Sequence, residues 1–462
     1  MLSIHIFRTL KKVENNQKIL TFSHFLVKFY DMKRKIEEKL LQWADAPKRM
    51  PLLLQGARQV GKTFLLEWLG TTHFENMVHV NLETQVSIAE MFNGDISPQK
   101  VIHTLETVFQ TPIKPNKTLI ILDEIQCSER ALMSLKMFCE EAPEYAVAAA
   151  GSLLGVAINR EKYSFPVGKV HELTLFPLDF EEFLWACGDN TLAKTIREHY
   201  TTFYPLEEPI HNKAIERYKQ YLILGGMPAV VQNFIDSGSI ILPTEIQNRI
   251  LNEYSADMAK YASPAQAVKI RGCYNSIPIQ LAKENRKFQY KLVQRGGTAT
   301  IFGETLDWLS FAGLIVKCEL IDNGFMPLAA YINMSDFKVY MGDVGLLTLK
   351  SGMASQIILS ENEPDNGFMG GLTENYVAQA LATNGHRLFY WKNKNTAEVD
   401  FVLQIQDKII PIEVKKGRHT KSTSLTMFCK QYNCENAIRI SKKNFGNTNG
   451  VLSIPCYAAF CI

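Results

Sequence analysis

The chain has 462 residues, 46% of them apolar, enough for two or three domains that each bury a core of their own. A formal charge of +3, from 50 basic and 47 acidic residues, argues neither for nor against a nucleic-acid partner. Nine cysteines without a C-x-x-C pair, with Cys429 and Cys434 near no further pair or histidine cluster that would suggest zinc, read as free thiols in a reducing cytoplasm.

Met1 to Tyr30 lacks the continuous apolar core and cleavage site of a signal peptide. Helical patterning begins at Met32: Ile36, Leu40 and Trp43 share one face, so residues 1–31 are expected to be an extension ahead of the functional start. Pro51 to Gln55 is an apolar run fit for a buried strand, and Phe64 to Leu69 has helical spacing. Between them Gly56, Ala57, Arg58, Gln59, Val60, Gly61, Lys62 and Thr63 spell G-x-x-x-x-G-K-[ST]. In a strand–loop–helix context this is a phosphate-binding loop. Its glycines let successive N–H groups face the phosphates, Lys62 reaches the β and γ phosphates, and the Thr63 hydroxyl ligates Mg²⁺.

Leu119 to Glu124 is a second motif, an aliphatic strand ending in two acids. At the carboxyl edge of a parallel sheet, Asp123 would hold Mg²⁺ through water and Glu124 would polarise the attacking water. A third strand, Tyr145 to Ala150, runs into Gly151 and Ser152, which alone would be a turn. The best apolar run, around Ala146 to Ile158, is too short and interrupted to span a membrane.

Further on, His211 to Phe234 reads as a helix broken at Gly225, Gly226 and Pro228. Asn252 to Tyr261 reads as an amphipathic helix with Glu253 and Asp257 one turn apart. Helices at Ser276 to Glu284 and Thr300 to Phe311, then a hairpin turning at Asp322-Asn-Gly324, give the order of a winged helix. Lys283, Arg286, Lys287, Lys291 and Arg295 cluster beside it, as either a nucleic-acid surface or a solvated face. In the last part, a helix from Gly371 to Leu381 carries Glu374, and strands follow at Arg387 to Trp391, Glu398 to Leu403 and Ile409 to Lys415. Alternation puts Val399, Phe401 and Leu403 on one face and Glu398 and Asp400 on the other. A turn at Gln406-Asp407 would set Asp400 opposite Glu413, with Lys415 on the same face. Carboxylates so placed repel unless a cation lies between them, and a hard divalent ion would suit Glu374, Asp400 and Glu413, with Lys415 orienting a water.

The ordered motifs GARQVGKT, LIILDEIQ, GSLLG, FPVGKV, LFPLDFEEFL, LGGMPAV, EVDFVL and PIEVKKG resemble those of bacterial and archaeal AAA-type ATPases fused to a C-terminal domain of unknown function. The resemblance covers nearly everything from Met32 onward. It implies an α/β fold with a P-loop AAA-type core at 32–190, a helical and winged-helix region at 191–350, and a restriction-endonuclease-like α/β domain at 351–462. It also implies that Ser152 senses the γ phosphate; Arg160 follows it, without being identifiable as an arginine finger. Glu374, Asp400 and Glu413-Val-Lys415 are similar to the core of the PD-(D/E)xK nucleases, although E-x-K triplets also occur in many exposed strands. The expectation is a cytoplasmic, membrane-free ATPase using ATP and Mg²⁺, coupled to a nuclease-like module that handles DNA or RNA. The alternative is a nucleotide-dependent switch that binds a protein partner, with a catalytically inert C-terminal domain; a homo-oligomer is the other partner expected of the chain.

Overall fold

The computed structural model describes residues 32–152, 168–360, 367–393, 397–415, 423–448 and 450–462. The expected extension at 1–31, Arg160 and part of the FPVGKV motif lie outside them. The first part runs α1 (Ile36–Asp45), β1 (Leu52–Gly56), α2 (Lys62–His73), β2 (Asn76–Asn81), α3 (Val86–Met91), α4 (Pro98–Phe109), β3 (Thr118–Asp123), α5 (Glu129–Glu141), β4 (Ala146–Ser152) and β5 (His171–Leu175). The strands form one sheet in the order β2-β3-β4-β1-β5, with every neighbouring pair parallel. Leu52 and Leu54 of β1, with Leu119 and Ile121 of β3, pack on one face against Leu65, Leu66 and Leu69 of α2. Leu53, Ile120 and Leu122 point the other way, onto Leu105 of α4 and Leu135 of α5. Both faces are covered, which is why these strands read as unbroken aliphatic runs. Each such side chain contributes about 1.5–3 kcal/mol by leaving water.

A helical region follows: α6 (Phe180–Ala186), α7 (Asn190–Thr202), α8 (Glu208–Leu224), α9 (Pro228–Ser237), α10 (Thr244–Tyr261), α11 (Pro264–Leu281), α12 (Tyr290–Val293) and α13 (Ala299–Phe311). The expected break at Gly225-Gly226 is present. Gly225 ends α8 with φ of +71°, and Pro228 opens α9, where a missing N–H costs nothing.

The last part comprises β6 (Ile315–Ile321), β7 (Ile332–Met341), α14 (Val344–Ser351), α15 (Ser355–Leu359), α16 (Gly367–Thr383), β8 (Phe389–Lys392), β9 (Glu398–Ile405), β10 (Lys408–Val414), α17 (Thr423–Tyr432), β11 (Ala437–Ser441), β12 (Gly446–Thr448) and β13 (Val451–Pro455). Its sheet order is β12-β13-β11-β10-β9-β8-β6-β7. The helix–helix–hairpin order expected of a winged helix is therefore present in α11, α13, β6 and β7, but the hairpin is not a free wing. β6 pairs in parallel with β8, so the boundary expected at residue 350 cuts through a single sheet. Nor is there a tight turn at Asp322-Asn-Gly324: the connection runs to Ile332 and contains a short 3-10 turn at Leu328–Tyr331.

The expected alternation in β9 is also broken. Phe389 pairs with Val402 but Trp391 pairs with Val399, so Asp400 and Phe401 together oppose Tyr390 in a β-bulge. Val399 and Val402 consequently pack with Leu425 and Phe428 of α17, whereas Phe401 and Leu403 face the core beneath α16. No described helix is long and apolar enough to cross a membrane.

Candidate functional site

The phosphate-loop motif lies at the carboxyl end of β1, where the chain order of the parallel sheet switches direction, the usual place for a ligand in such sheets. Gly56 has no room for a side chain, since a Cβ would fall 2.3 Å from the Leu175 carbonyl oxygen. Gly61 precedes α2 with φ of +99°, a conformation open to glycine. Lys62 Nζ donates to the carbonyls of Gly56 (3.0 Å) and Ala57 (2.9 Å). Burial lowers its pKa to about 8, against the opposing pull of Glu124 and Asp123; a bound phosphate would raise it again. Thr63 Oγ1 donates to Asp123 Oδ2 at 2.8 Å, and the Glu124 N–H donates to Asp123 Oδ1 at 2.9 Å. Ser152 ends β4 in register with Gly56. Residues from three separate strand ends thus meet at one edge.

A cavity of about 360 Å³ opens there. Lys62, Thr63 and Glu124 line it together with an apolar wall of Met32, Leu178 and Pro228. Burial and the neighbouring Asp123 raise the Glu124 pKa above the ordinary carboxylate value.

Several participants were not apparent from sequence. His79 on β2 sits between Glu67 (3.0 Å) and Asp123 (3.6 Å). Burial disfavours its charge, but the two carboxylates outweigh that and raise its pKa to about 9. Only the adjacency of β2 and β3 reveals it. Arg34 Nη1 donates to the Val60 carbonyl (3.1 Å) and Nη2 to that of Phe176 (2.7 Å), tying the segment before α1 to the loop. Glu253 and Asp257, read as one face of a helix, reach the loop as well. Asp257 Oδ1 lies 2.7 Å from Arg58 Nη1, Glu253 accepts from Gln59 Nε2, and Tyr254 OH donates to the Arg58 carbonyl at 3.2 Å.

The apolar wall is joined to the C-terminal part by a buried ring of hydrogen bonds. Leu178 N donates to the Gly226 carbonyl (2.7 Å), and Gly226 N donates to Asp343 Oδ2 (2.7 Å). Tyr221 OH donates to the Leu178 carbonyl (2.6 Å), Gln379 Nε2 donates to Tyr221 OH (3.0 Å), and Val344 N donates to Gln379 Oε1 (2.9 Å). A Cβ on Gly226 would lie 1.9 Å from the Leu178 carbonyl oxygen. Gly226→Ala is therefore expected to cost about 1–3 kcal/mol by overpacking and to weaken nucleotide binding by displacing Leu178. Denaturant titration and calorimetric nucleotide titration check the two effects.

The acids expected to share a divalent ion in the C-terminal part are arranged differently. Glu374 is fully buried on α16. It pairs with Lys338 Nζ at 3.0 Å, with Arg286, and with Tyr340 OH. The same ammonium lies 2.7 Å from Glu398 and 3.8 Å from Asp400. Burial would raise the Glu374 pKa, but Lys338 and Arg286 outweigh it and hold it low. Burial and the charge on Glu374 push Asp400 up instead, and its Oδ2 accepts from Val414 N at 2.8 Å. Glu413 does not join these acids. Ile412 and Val414 pack beneath α16, so the alternating Glu413 and Lys415 face the α17 side, where they pair at 2.8 Å. The expected metal set of Glu374, Asp400 and Glu413, with Lys415 beside it, is therefore corrected: the acids do not converge, and a lysine ammonium stands among those that do. Among the described residues no group of three or more His, Cys, Asp or Glu is placed to hold a metal ion. The basic cluster is depleted too, since Arg286 is committed to Glu374 and Lys287 to Asp336.

Residues 48–184 match a family described as an AAA domain. Residues 215–356 and 369–457 match two families described as domains of unknown function, DUF8612 and DUF4143. No curated protein matches the chain. Among solved structures, the Walker-type ATPase PABY2304 of Pyrococcus abyssi is 15% identical, covers 69% of this chain and 95% of its own, and has a TM-score of 0.42. RuvB of Thermotoga maritima, a Holliday junction branch migration motor, is 14% identical over 62% of this chain and 93% of its own, with a TM-score of 0.31. AMPPCP-bound DnaA from Aquifex aeolicus is 11% identical over 59% and 86%, with a TM-score of 0.24. These structural likenesses are too distant to bear on function. The family match and the phosphate-loop motif agree on an ATP-binding protein with an AAA-type domain.

Proposed function

We propose that the chain hydrolyses ATP and acts as a nucleotide-dependent switch, with a C-terminal part that is not a metal-dependent nuclease. The hydrolytic reading rests on the bond between Thr63 and Asp123 at 2.8 Å, with Glu124 and Lys62 lining the same cavity. A hydroxyl and a carboxylate so close suit a hard divalent cation, and Thr63 and Asp123 would hold the Mg²⁺ that accompanies ATP. When bound, that ion supplies charge neutralisation on the phosphates. Lys62 and the N–H groups of the loop bind and orient the phosphate chain, Ser152 senses its end, and Glu124 takes the proton of the attacking water. The reading of the C-terminal part rests on Lys338, whose ammonium pairs with Glu374 at 3.0 Å and lies 3.8 Å from Asp400, where a nuclease would hold metal.

Purified protein should release phosphate from ATP only with Mg²⁺, and should leave single- and double-stranded DNA and RNA intact. Lys62→Ala should abolish tight ATP binding while the melting temperature of the protein without nucleotide stays unchanged. Unaltered nucleotide affinity in that variant would remove the basis for the site, and metal-dependent cleavage lost in Asp400→Ala would restore the nuclease reading.

A further inference from the structure

Arg58 stands between two sets of anions. Its side chain lines the cavity with Lys62 and Glu124, yet the guanidinium pairs with Asp257 at 2.7 Å and lies 4.0 Å from Glu253. Its side chain is 40% exposed, so it can be reached without unpacking a core. Neighbouring Gln59, whose φ is +65°, also donates to Glu253. Glu253 and Asp257 are one helical turn apart, so a single face of α10 holds both loop residues.

We propose that the terminal phosphate of a nucleoside triphosphate competes with Asp257 and Glu253 for the Arg58 guanidinium, so that triphosphate, far more than diphosphate, loosens α10 from the phosphate loop. This rests on the nucleotide site proposed above and adds its regulation. A guanidinium offers the same planar fork of donors to a carboxylate or a phosphate, so one partner can replace the other without loss of geometry. The terminal phosphate is the relevant one because Arg58 lines the same cavity as Glu124, the group proposed to face the attacking water, and feels its charge. As that phosphate approaches, two carboxylates of α10 become like-charged neighbours of the ligand, and the helix is repelled as its cation is withdrawn. α10 packs on α11 and α14, which carries the displacement toward the C-terminal sheet.

The test compares a non-hydrolysable ATP analogue with ADP, both with Mg²⁺, on the full chain. The isosteric double variant Glu253→Gln/Asp257→Asn should bind the analogue about tenfold more tightly, within the usual range of coupling between sites, and change ADP affinity much less. Arg58→Ala should lose the discrimination between the two. In the native protein, hydrogen exchange in α10 should be faster with the analogue than with ADP. Equal shifts for both nucleotides, or α10 exchange identical in the two complexes, would overturn the competition while leaving the site itself standing. Failure of the native chain to bind either nucleotide would instead overturn the site.

Discussion

Glu124→Gln is expected to bind ATP with native affinity and to hydrolyse it about 10²–10⁴-fold more slowly, the usual contribution of a positioned general base. The amide keeps the shape of the carboxylate and its place beside Lys62 and Thr63, so binding is spared. What it loses is the ability to accept a proton from water. The pH dependence gives a second, independent reading. Burial and the charge on Asp123 raise the Glu124 pKa, and the base works only when ionised. The native rate should therefore fall on acidification at a higher pH than an ordinary glutamate would give, and rise to a plateau above it. That acidic limb should vanish in the glutamine variant. Steady-state phosphate release across pH, with calorimetric binding as control, measures both. A native rate in the variant would move the proton-accepting role to another group.

That the phosphate-loop and acidic-strand motifs share one sheet edge was legible in the sequence because their information is local. A phosphate loop requires glycines at fixed spacing between a strand and a helix, and a buried parallel strand announces itself as an aliphatic run ending in acids. Gly56, Lys62, Thr63 and Asp123 therefore fell where their motifs placed them. What surrounds the loop was not legible. His79 meets Asp123 only because β2 lies beside β3, and Glu253 and Asp257 reach Arg58 from almost two hundred positions away. Both of those acids look like ordinary polar residues on a helix until the fold brings the loop to them. The C-terminal strands show a different limit. Their existence and order were correct, but a period-two argument assumes an unbroken pleat, and the bulge at Asp400 and Phe401 reverses the facing of everything after it. Lys338 was invisible for a related reason. A lysine in a strand is normally solvated, and nothing in the residues around it announces that Glu374, thirty-six positions later, will be buried against it.

That lysine carries the other large expected effect. Lys338→Met should destabilise the protein by about 3–5 kcal/mol, because it removes from a buried cluster the cation shared by Glu374 and Glu398 and leaves Glu374 with Arg286 as its remaining cation. Methionine preserves most of the side-chain volume, so the loss is electrostatic rather than a cavity. Glu374→Gln alone should also be costly, since it strands Lys338 and Arg286, while the double variant should recover part of the loss. Such non-additivity marks a true pair. The pKa of Glu374 is held low, so its stabilising contribution is present above the ordinary carboxylate range and lost as pH falls through the lowered value. Asp400 behaves oppositely. Its raised pKa means that ionisation works against the fold, so Asp400→Asn should cost far less than Lys338→Met at neutral pH, provided the amide oxygen still accepts from Val414 N. A metal ligand would respond in the reverse order, with Asp400 the sensitive position and Mn²⁺ raising the melting temperature. Denaturant unfolding of the native chain and the four variants, repeated with excess Mg²⁺ or Mn²⁺, separates the two cases. If Lys338→Met is as stable as the native chain, the ammonium is not the cation that these buried acids depend on.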